Sequence, residues 1–356
     1  MKRSGSQCVI LPYFGYPLEA DCGKIDGCMN TSSDIKIEKP KVIQALLSGF
    51  NIIASKPYLI LLPVLLDLFL WFGPGWRIDE YFKPLIQSFS NLPGLNTPEY
   101  SEIISAFQAF WQDVLSQFNL AVTLSTLPIG VPSLMTGEVG FMNPLGSTTV
   151  FELTSNLQIL GIWLIFVAIG FSLGNVYFQN ISKEVLPSPK KPTMKSFLWS
   201  FLQIVLMPIF LLIVLMILSI PILLVISLVT VLSPAISDFV IFIIAIILLW
   251  VVMPLVFTPH SIYLYKQNLI SAMMTSISVV KVSMGQTSWF LLASYILVRG
   301  FNTLWKAPAS DSWFLLVGIL GHAFIVSAVI AASFYYFVDA TKFTQTIVNK
   351  NLKLSD

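Results

Sequence analysis

Charged side chains are scarce in this sequence. Only 11% of its 356 residues are Asp, Glu, Lys or Arg, where a soluble domain carries about a quarter. That excludes a water-soluble globule, and the equally high apolar content excludes intrinsic disorder. Histidine occurs twice, as His260 and His322. The three cysteines, Cys8, Cys22 and Cys28, all precede Met29. Their odd number and the lack of a CxxC spacing support neither a disulfide framework nor a zinc site. The net charge of +2 comes without a basic run or an acidic tail, so nucleic acid is not an expected partner. No Walker lysine loop, GxGxxG, HExxH or GxSxG occurs. No ATP-driven pump or membrane metalloprotease is therefore argued, and no enzyme activity, cofactor or metal is expected.

What the chain has instead is apolar length. It is 56% hydrophobic and 13% aromatic, with a mean hydropathy of +0.80. Charge-free runs cover 153–182, 196–237, 239–265 and 312–338. Each exceeds the roughly 20 residues that a helix needs to cross a bilayer. Two further apolar stretches carry one charge each, Asp67 in 57–73 and Arg299 in 288–305. Every backbone polar group must be satisfied inside lipid, and the runs do not alternate, so helices are expected. The expected fold is all-α: a polytopic membrane protein with six spans at about 57–73, 157–178, 196–220, 238–258, 288–305 and 313–337. Trp71, Phe72, Trp76, Trp289, Trp305 and Trp313 fall at span ends, as an aromatic belt requires.

Lysine sets the orientation. Lys36, Lys39, Lys41 and Lys56 precede the first span; Lys183, Lys190, Lys191 and Lys195 lie in the second connection. Lys266 and Lys281 lie in the fourth, and Lys342, Lys350 and Lys353 in the tail. The opposite side has Arg77, Lys83 and Lys306 only, despite the long loop 74–156. Positive-inside puts both termini in the cytoplasm of a cell with an inner (plasma) membrane. Residues 1–35 read as a disordered extension, with Met29 an alternative start, and residues 36–356 as one membrane domain. The apolar run from 196 to 233 would be about 57 Å long as one helix. Pro208 and Pro221 interrupt it, so a kinked span to about 220 is expected, with 221–233 lying at the outer interface. Two short crossings, giving seven spans, are the alternative, against which the lysines argue.

Two segments read as amphipathic helices on the cytoplasmic surface. Lys41–Ser55 gathers Val42, Ile43, Leu46, Leu47, Phe50 and Ile53 on one face; Asn268–Met284 gathers Leu269, Ile270, Met273, Ile277, Val280 and Met284. VIQALLSGFNII at 42–53 aligns without gaps to LISAMMTSISVV at 269–280. An internal repeat and a coincidence of composition are both open. In the outer loop, Thr97-Pro98 is a helix start, and Ile103, Ile104, Phe107, Phe110, Trp111, Val114, Leu115 and Phe118 form an apolar stripe to about Val122. Residues 127–146, rich in Gly and Pro, read as an ordered irregular loop.

Asp67 is the sharpest residue, because an ionisable group inside a span needs a partner. It lies ten residues past Pro57, and Arg299 lies eleven past Ser288 in a parallel span. The equal depth suggests an ion pair; snorkelling of each to the interface and a substrate or proton site are the alternatives. His322, inside the last span, is a possible polar or ligand site, with a bond to a neighbouring helix as the plainer role. Gly170 and Gly174 form a GxxxG packing motif, and Ala323, Ser327 and Ala331 repeat at every fourth position. Both allow close helix packing.

The stretch LISAMMTSISVVKVSMGQTSWFLLASYIL at 269–297 resembles bacterial multi-pass proteins in which a cytoplasmic amphipathic helix leads into a span. Among them is the membrane domain fused to some glycerophosphodiester phosphodiesterases. With GVPSLM at 130–135 and LLVGILGHAF at 315–324, the wider chain looks like multi-pass proteins of Chloroflexota-type bacteria. The resemblance brings no catalytic residues, and the phosphodiesterase domain is missing. The expected role is a membrane scaffold or accessory subunit contacting lipids or partner membrane proteins. The alternative is a secondary transporter or lipid-handling protein with a site near Asp67, Arg299 and His322.

Overall fold

A computed structural model describes residues 38–90, 101–126, 129–137, 141–187 and 193–355. The expected disordered extension, its three cysteines and the Thr97-Pro98 helix start lie outside the described residues. The fold is all-α, with two small two-stranded ladders in the long loop. It divides into two compact units. One contains residues 44–187 and 291–333; the other contains 38–43, 193–290 and 334–355.

In the first unit, α1 (Val42–Ser55) leads through a 3-10 turn (Pro57–Ile60) into α2 (Leu61–Phe72). The pair bends by 94° between Ser55 and Pro57. Proline cannot donate to the preceding turn, and it pushes the residue before it out of the helical region; Lys56 accordingly has ψ 67°. The expected first span is therefore a short element. The turn and α2 together extend about 26 Å. The turn packs on α5 (Asn156–Val185), and the unit also holds the C-terminal part of α10 (Met284–Trp305) and the N-terminal half of α11 (Leu315–Ser355). The two ends of α2 are fastened by different chemistry. At one, Lys56 pairs with Glu184, whose other oxygen accepts from the Tyr58 hydroxyl at 2.8 Å. At the other, Trp71 donates to the Ser310 carbonyl at 2.7 Å and packs against Phe72 and Trp313.

Between α2 and α5 the described residues form short strands, helices and turns. Strand β1 (Gly75–Arg77) pairs in parallel with β4 (Val150–Glu152), and β2 (Met142–Asn143) with β3 (Gly146–Ser147) in antiparallel. Helices α3 (Asp79–Ser90) and α4 (Ser101–Gln117) close over Ile78, Leu115, Leu120 and Leu153, with Trp76 and Phe82 at the margin. The expected helix to Val122 stops at Gln117. Asn119 is the reason: its side-chain oxygen accepts from the backbone of both Ala121 and Trp76 at 3.0 Å. It caps a 3-10 turn (Leu120–Leu124) and ties that turn to β1.

In the second unit, α6 (Met194–Leu232) and α7 (Pro234–Val252) pack together, followed by α8 (Thr258–Tyr265) and α9 (Leu269–Val282). Polar side chains join its buried part. Gln203 accepts from the Leu269 backbone at 2.7 Å; Gln267 accepts from Ser261 and Thr275; the Thr287 and Tyr336 hydroxyls are 3.0 Å apart. Contrary to expectation, α6 does not end near residue 220. It continues through Pro208 and Pro221 for 39 residues, and breaks only at Ser233-Pro234. Each proline removes one hydrogen bond, which an otherwise uninterrupted apolar helix absorbs.

Among the described residues, four stretches are long and apolar enough to cross a membrane: Asn156–Val185, Met194–Leu232, Ile236–Tyr265 and Leu315–Lys350. The bent pair of α1 and α2 makes a fifth if counted as one span. Helix α10, expected to supply a span at 288–305, has the length but not the apolarity. Gln286 and Thr287 dilute its first turns, and Arg299, Asn302 and Thr303 its last.

Candidate functional site

Asp67 sits in the middle of α2 with no exposed surface. Its carboxylate is surrounded by the long loop. Ser133 Oγ donates to Oδ1 at 2.5 Å, the Met135 backbone N–H to Oδ1 at 3.1 Å, and the Leu134 N–H to Oδ2 at 3.1 Å. Met135 opens a 3-10 turn (Met135–Gly137), so the carboxylate meets N–H groups that such a turn leaves without internal partners. The loop itself is pulled tight. Ser125 Oγ donates to the Val131 carbonyl at 2.8 Å and Thr126 Oγ1 to that of Ile129 at 2.9 Å. Ile129, Val131, Leu134 and Met135 are buried.

The Asp67–Arg299 ion pair is not formed. Arg299 is exposed on α10, with its guanidinium 5.8 Å from the centre of the Tyr295 ring. The loop supplies Asp67 with three donors at close range, which leaves no place for a guanidinium. Arg299→Ala is accordingly expected to shift unfolding stability in detergent by less than about 1 kcal/mol, the scale of an exposed cation–π contact. A loss as large as that of an Asp67 substitution would restore the pair.

His322 is buried in α11, close to the end of α10. Gly318 and Gly321 make this approach possible. A Cβ on Gly318 would lie 2.3 Å from the Trp305 carbonyl oxygen, and one on Gly321 would lie 2.7 Å from the Trp305 ring. The Lys306 ammonium acts electrostatically on His322. Among the described residues, no three His, Cys, Asp or Glu side chains converge as metal ligands.

The small-residue motifs are contact surfaces of unequal kind. Gly170 and Gly174 do not receive a helix; they receive the loop. A Cβ on Gly170 would lie 2.4 Å from the Leu124 carbonyl oxygen, and one on Gly174 would lie 2.9 Å from that of Ile129. Ala323, Ser327 and Ala331 are all fully buried, and Ser327 Oγ accepts from the Tyr177 hydroxyl of α5 at 2.8 Å. The glycines of α5 and Asp67 of α2 therefore hold the same segment, Leu124–Met135, from two sides. Sequence reasoning placed Asp67 at the centre but missed Ser133, Leu134 and Met135, because two of the three donors are backbone N–H groups. A shallow apolar groove runs along α10, lined by Ala293, Ile296, Leu297, Gly300, Phe301 and Leu304. No protein-family model, curated protein or solved structure matches this chain.

Proposed function

We propose that this chain is a non-enzymatic scaffold or accessory subunit of a bacterial inner membrane, with six crossings and both termini in the cytoplasm. One observation carries the reading. In the most apolar 18-residue windows of Met194–Leu232 and Ile236–Tyr265, no residue is buried by the rest of the chain. Apolar surface on this scale exceeds the few hundred Å² that soluble proteins leave open, so lipid or partner helices must cover it. The lysine distribution supports the orientation. The other two crossings are α2, short but ringed by Trp71, Phe72 and Trp313, and α10. At 22 residues α10 is about 33 Å long, and Arg299 lies near enough to its end to reach the interface.

A transport or lipid-handling site near Asp67, Arg299 and His322 has no comparable support. Asp67 is sealed by its own loop, and Arg299 points elsewhere. The α10 groove suits an acyl chain lying along the protein surface. The deciding experiment is capture of the tagged full chain in a mild native detergent, with mass spectrometry of co-purifying proteins and lipids. A stoichiometric membrane partner is the expected result. Recovery of the chain with lipids but no stable partner would reject the accessory-subunit role.

A further inference from the structure

Helices α1 and α9 have the same length, 14 residues each, and begin and end at equivalent positions of the ungapped alignment. The structure adds a correspondence that composition does not require. Ala45, Gly49 and Ile53 are buried in α1, and their counterparts Ala272, Ser276 and Val280 are buried in α9. Ile43 and Leu47 are 74% and 59% exposed; their counterparts Ile270 and Met274 are 69% and 54% exposed.

At about 100° per residue, these positions divide each helix into three sectors. One faces protein: Gly49 lies against α11, where its Cβ would be 2.3 Å from the Ala328 carbonyl oxygen, and Ser276 bonds the Phe257 N–H and the Pro254 carbonyl. The second is apolar and exposed, and contains the two isoleucines, Leu47 and Met274. The third is polar, with Gln44 and Asn51 exposed in α1 and Ser278 exposed in α9. A helix in water against a protein has use for two sectors only. A third, apolar sector between them is what a helix needs when it lies in an interface, with protein on one side, lipid beneath and water above.

We propose that α1 and α9 are duplicated membrane anchors. Each seats its exposed apolar couple, Ile43 with Leu47 and Ile270 with Met274, in the cytoplasmic leaflet, with Lys39 beside α1 and Lys281 at the end of α9 on anionic lipid headgroups. The inference rests on the membrane reading above and adds to it the residues and the lipid class. Three observations select lipid as the occupant. The same sector recurs in two helices whose protein contacts differ. Each couple is too small for a stable protein interface, which needs about 800 Å² per partner. Exposed basic residues lie beside both: Lys39 before α1, where Lys41 pairs with Glu38 and Lys56 with Glu184, and Lys281 in the last turn of α9, a distribution that favours an anionic surface.

The test uses the full chain with Cys8→Ser, Cys22→Ser and Cys28→Ser, reconstituted into phosphatidylcholine vesicles with and without phosphatidylglycerol. Single nitroxide labels are placed through Ile43→Cys, Ile270→Cys, Asn51→Cys, Ser278→Cys and Ile217→Cys, the last on the exposed apolar part of α6. Collision with oxygen is compared with collision with a water-soluble nickel chelate. The expected result is oxygen preference at 43 and 270, to a similar depth, and nickel preference at 51 and 278. Phosphatidylglycerol should deepen 43 and 270. Nickel preference at either position overturns the proposal, and so does exclusion of both reagents, which would mean a protein covers the couple. Equal depths in both vesicle types would remove the anionic lipid. Position 217 separates the two levels: nickel preference there defeats the membrane reading itself, whereas oxygen preference at 217 alone defeats only the anchors.

Discussion

Asp67→Ala should free the Leu124–Met135 segment and cost about 3–5 kcal/mol. The carboxylate accepts three hydrogen bonds while fully buried. Bonds to a charged group are each worth about 1.5–3 kcal/mol, and their loss also leaves buried donors without acceptors. Those losses overlap, so the total falls short of the sum. It is still a large share of the roughly 5–15 kcal/mol that holds an ordinary domain together. Asp67→Asn should fall between wild type and alanine. Its carbonyl can still accept, but its NH2 turns a donor toward a donor. Thermal unfolding in detergent reads the stability. Limited proteolysis reads the mechanism: alanine should open new cleavage sites within residues 126–137, while cleavage elsewhere stays unchanged. An unaltered digestion pattern would mean that the loop does not depend on this residue.

The second large effect comes from adding a single methyl group. In Gly49→Ala the new Cβ would lie 2.3 Å from the Ala328 carbonyl oxygen and 2.6 Å from the Ala332 nitrogen. Both are backbone atoms of a helix, so no side-chain rotation relieves the overlap. Helices α1 and α11 must separate, at a cost of about 2–4 kcal/mol. Gly49→Leu should prevent their association altogether. Gly161 and Gly300 are the controls, since a Cβ at either meets nothing within 4 Å. Alanine there should be neutral or stabilising by up to about 1 kcal/mol, because it favours helix more than glycine does. Equal melting temperatures for Gly49→Ala and Gly161→Ala would show that the α1–α11 contact is not tight.

These two positions also mark where sequence reading succeeds and where it stops. The long apolar helices were legible because sustained apolar runs leave the backbone few alternatives. The break at Ser233-Pro234 carries a proline signature, but so do Pro208 and Pro221, which α6 passes through. Local sequence does not say which proline is tolerated: α6 runs through two and ends before the third. In α1 the large apolar residues marked a face for the membrane surface; the contact with protein is made by Ala45 and Gly49, beside Ile53. Close approach selects small residues, and a hydrophobic pattern overlooks them. Gly170 and Gly174 were legible as a notch but not as a notch for a loop, since a bare backbone surface accepts any partner of the right shape. Asp67 stood out by its charge. Its partner did not, because a backbone N–H looks the same at every residue.

The order of synthesis gives the Asp67 contact a further meaning. Ser133 follows Asp67 by 66 residues, and the glycines that hold the other side of its loop come later still, in α5. When α2 leaves the ribosome its carboxylate has none of its three donors, and a helix of 12 residues with an unsatisfied charge is a poor candidate for entering lipid alone. Its burial therefore waits on the loop that carries Ser133, Leu134 and Met135.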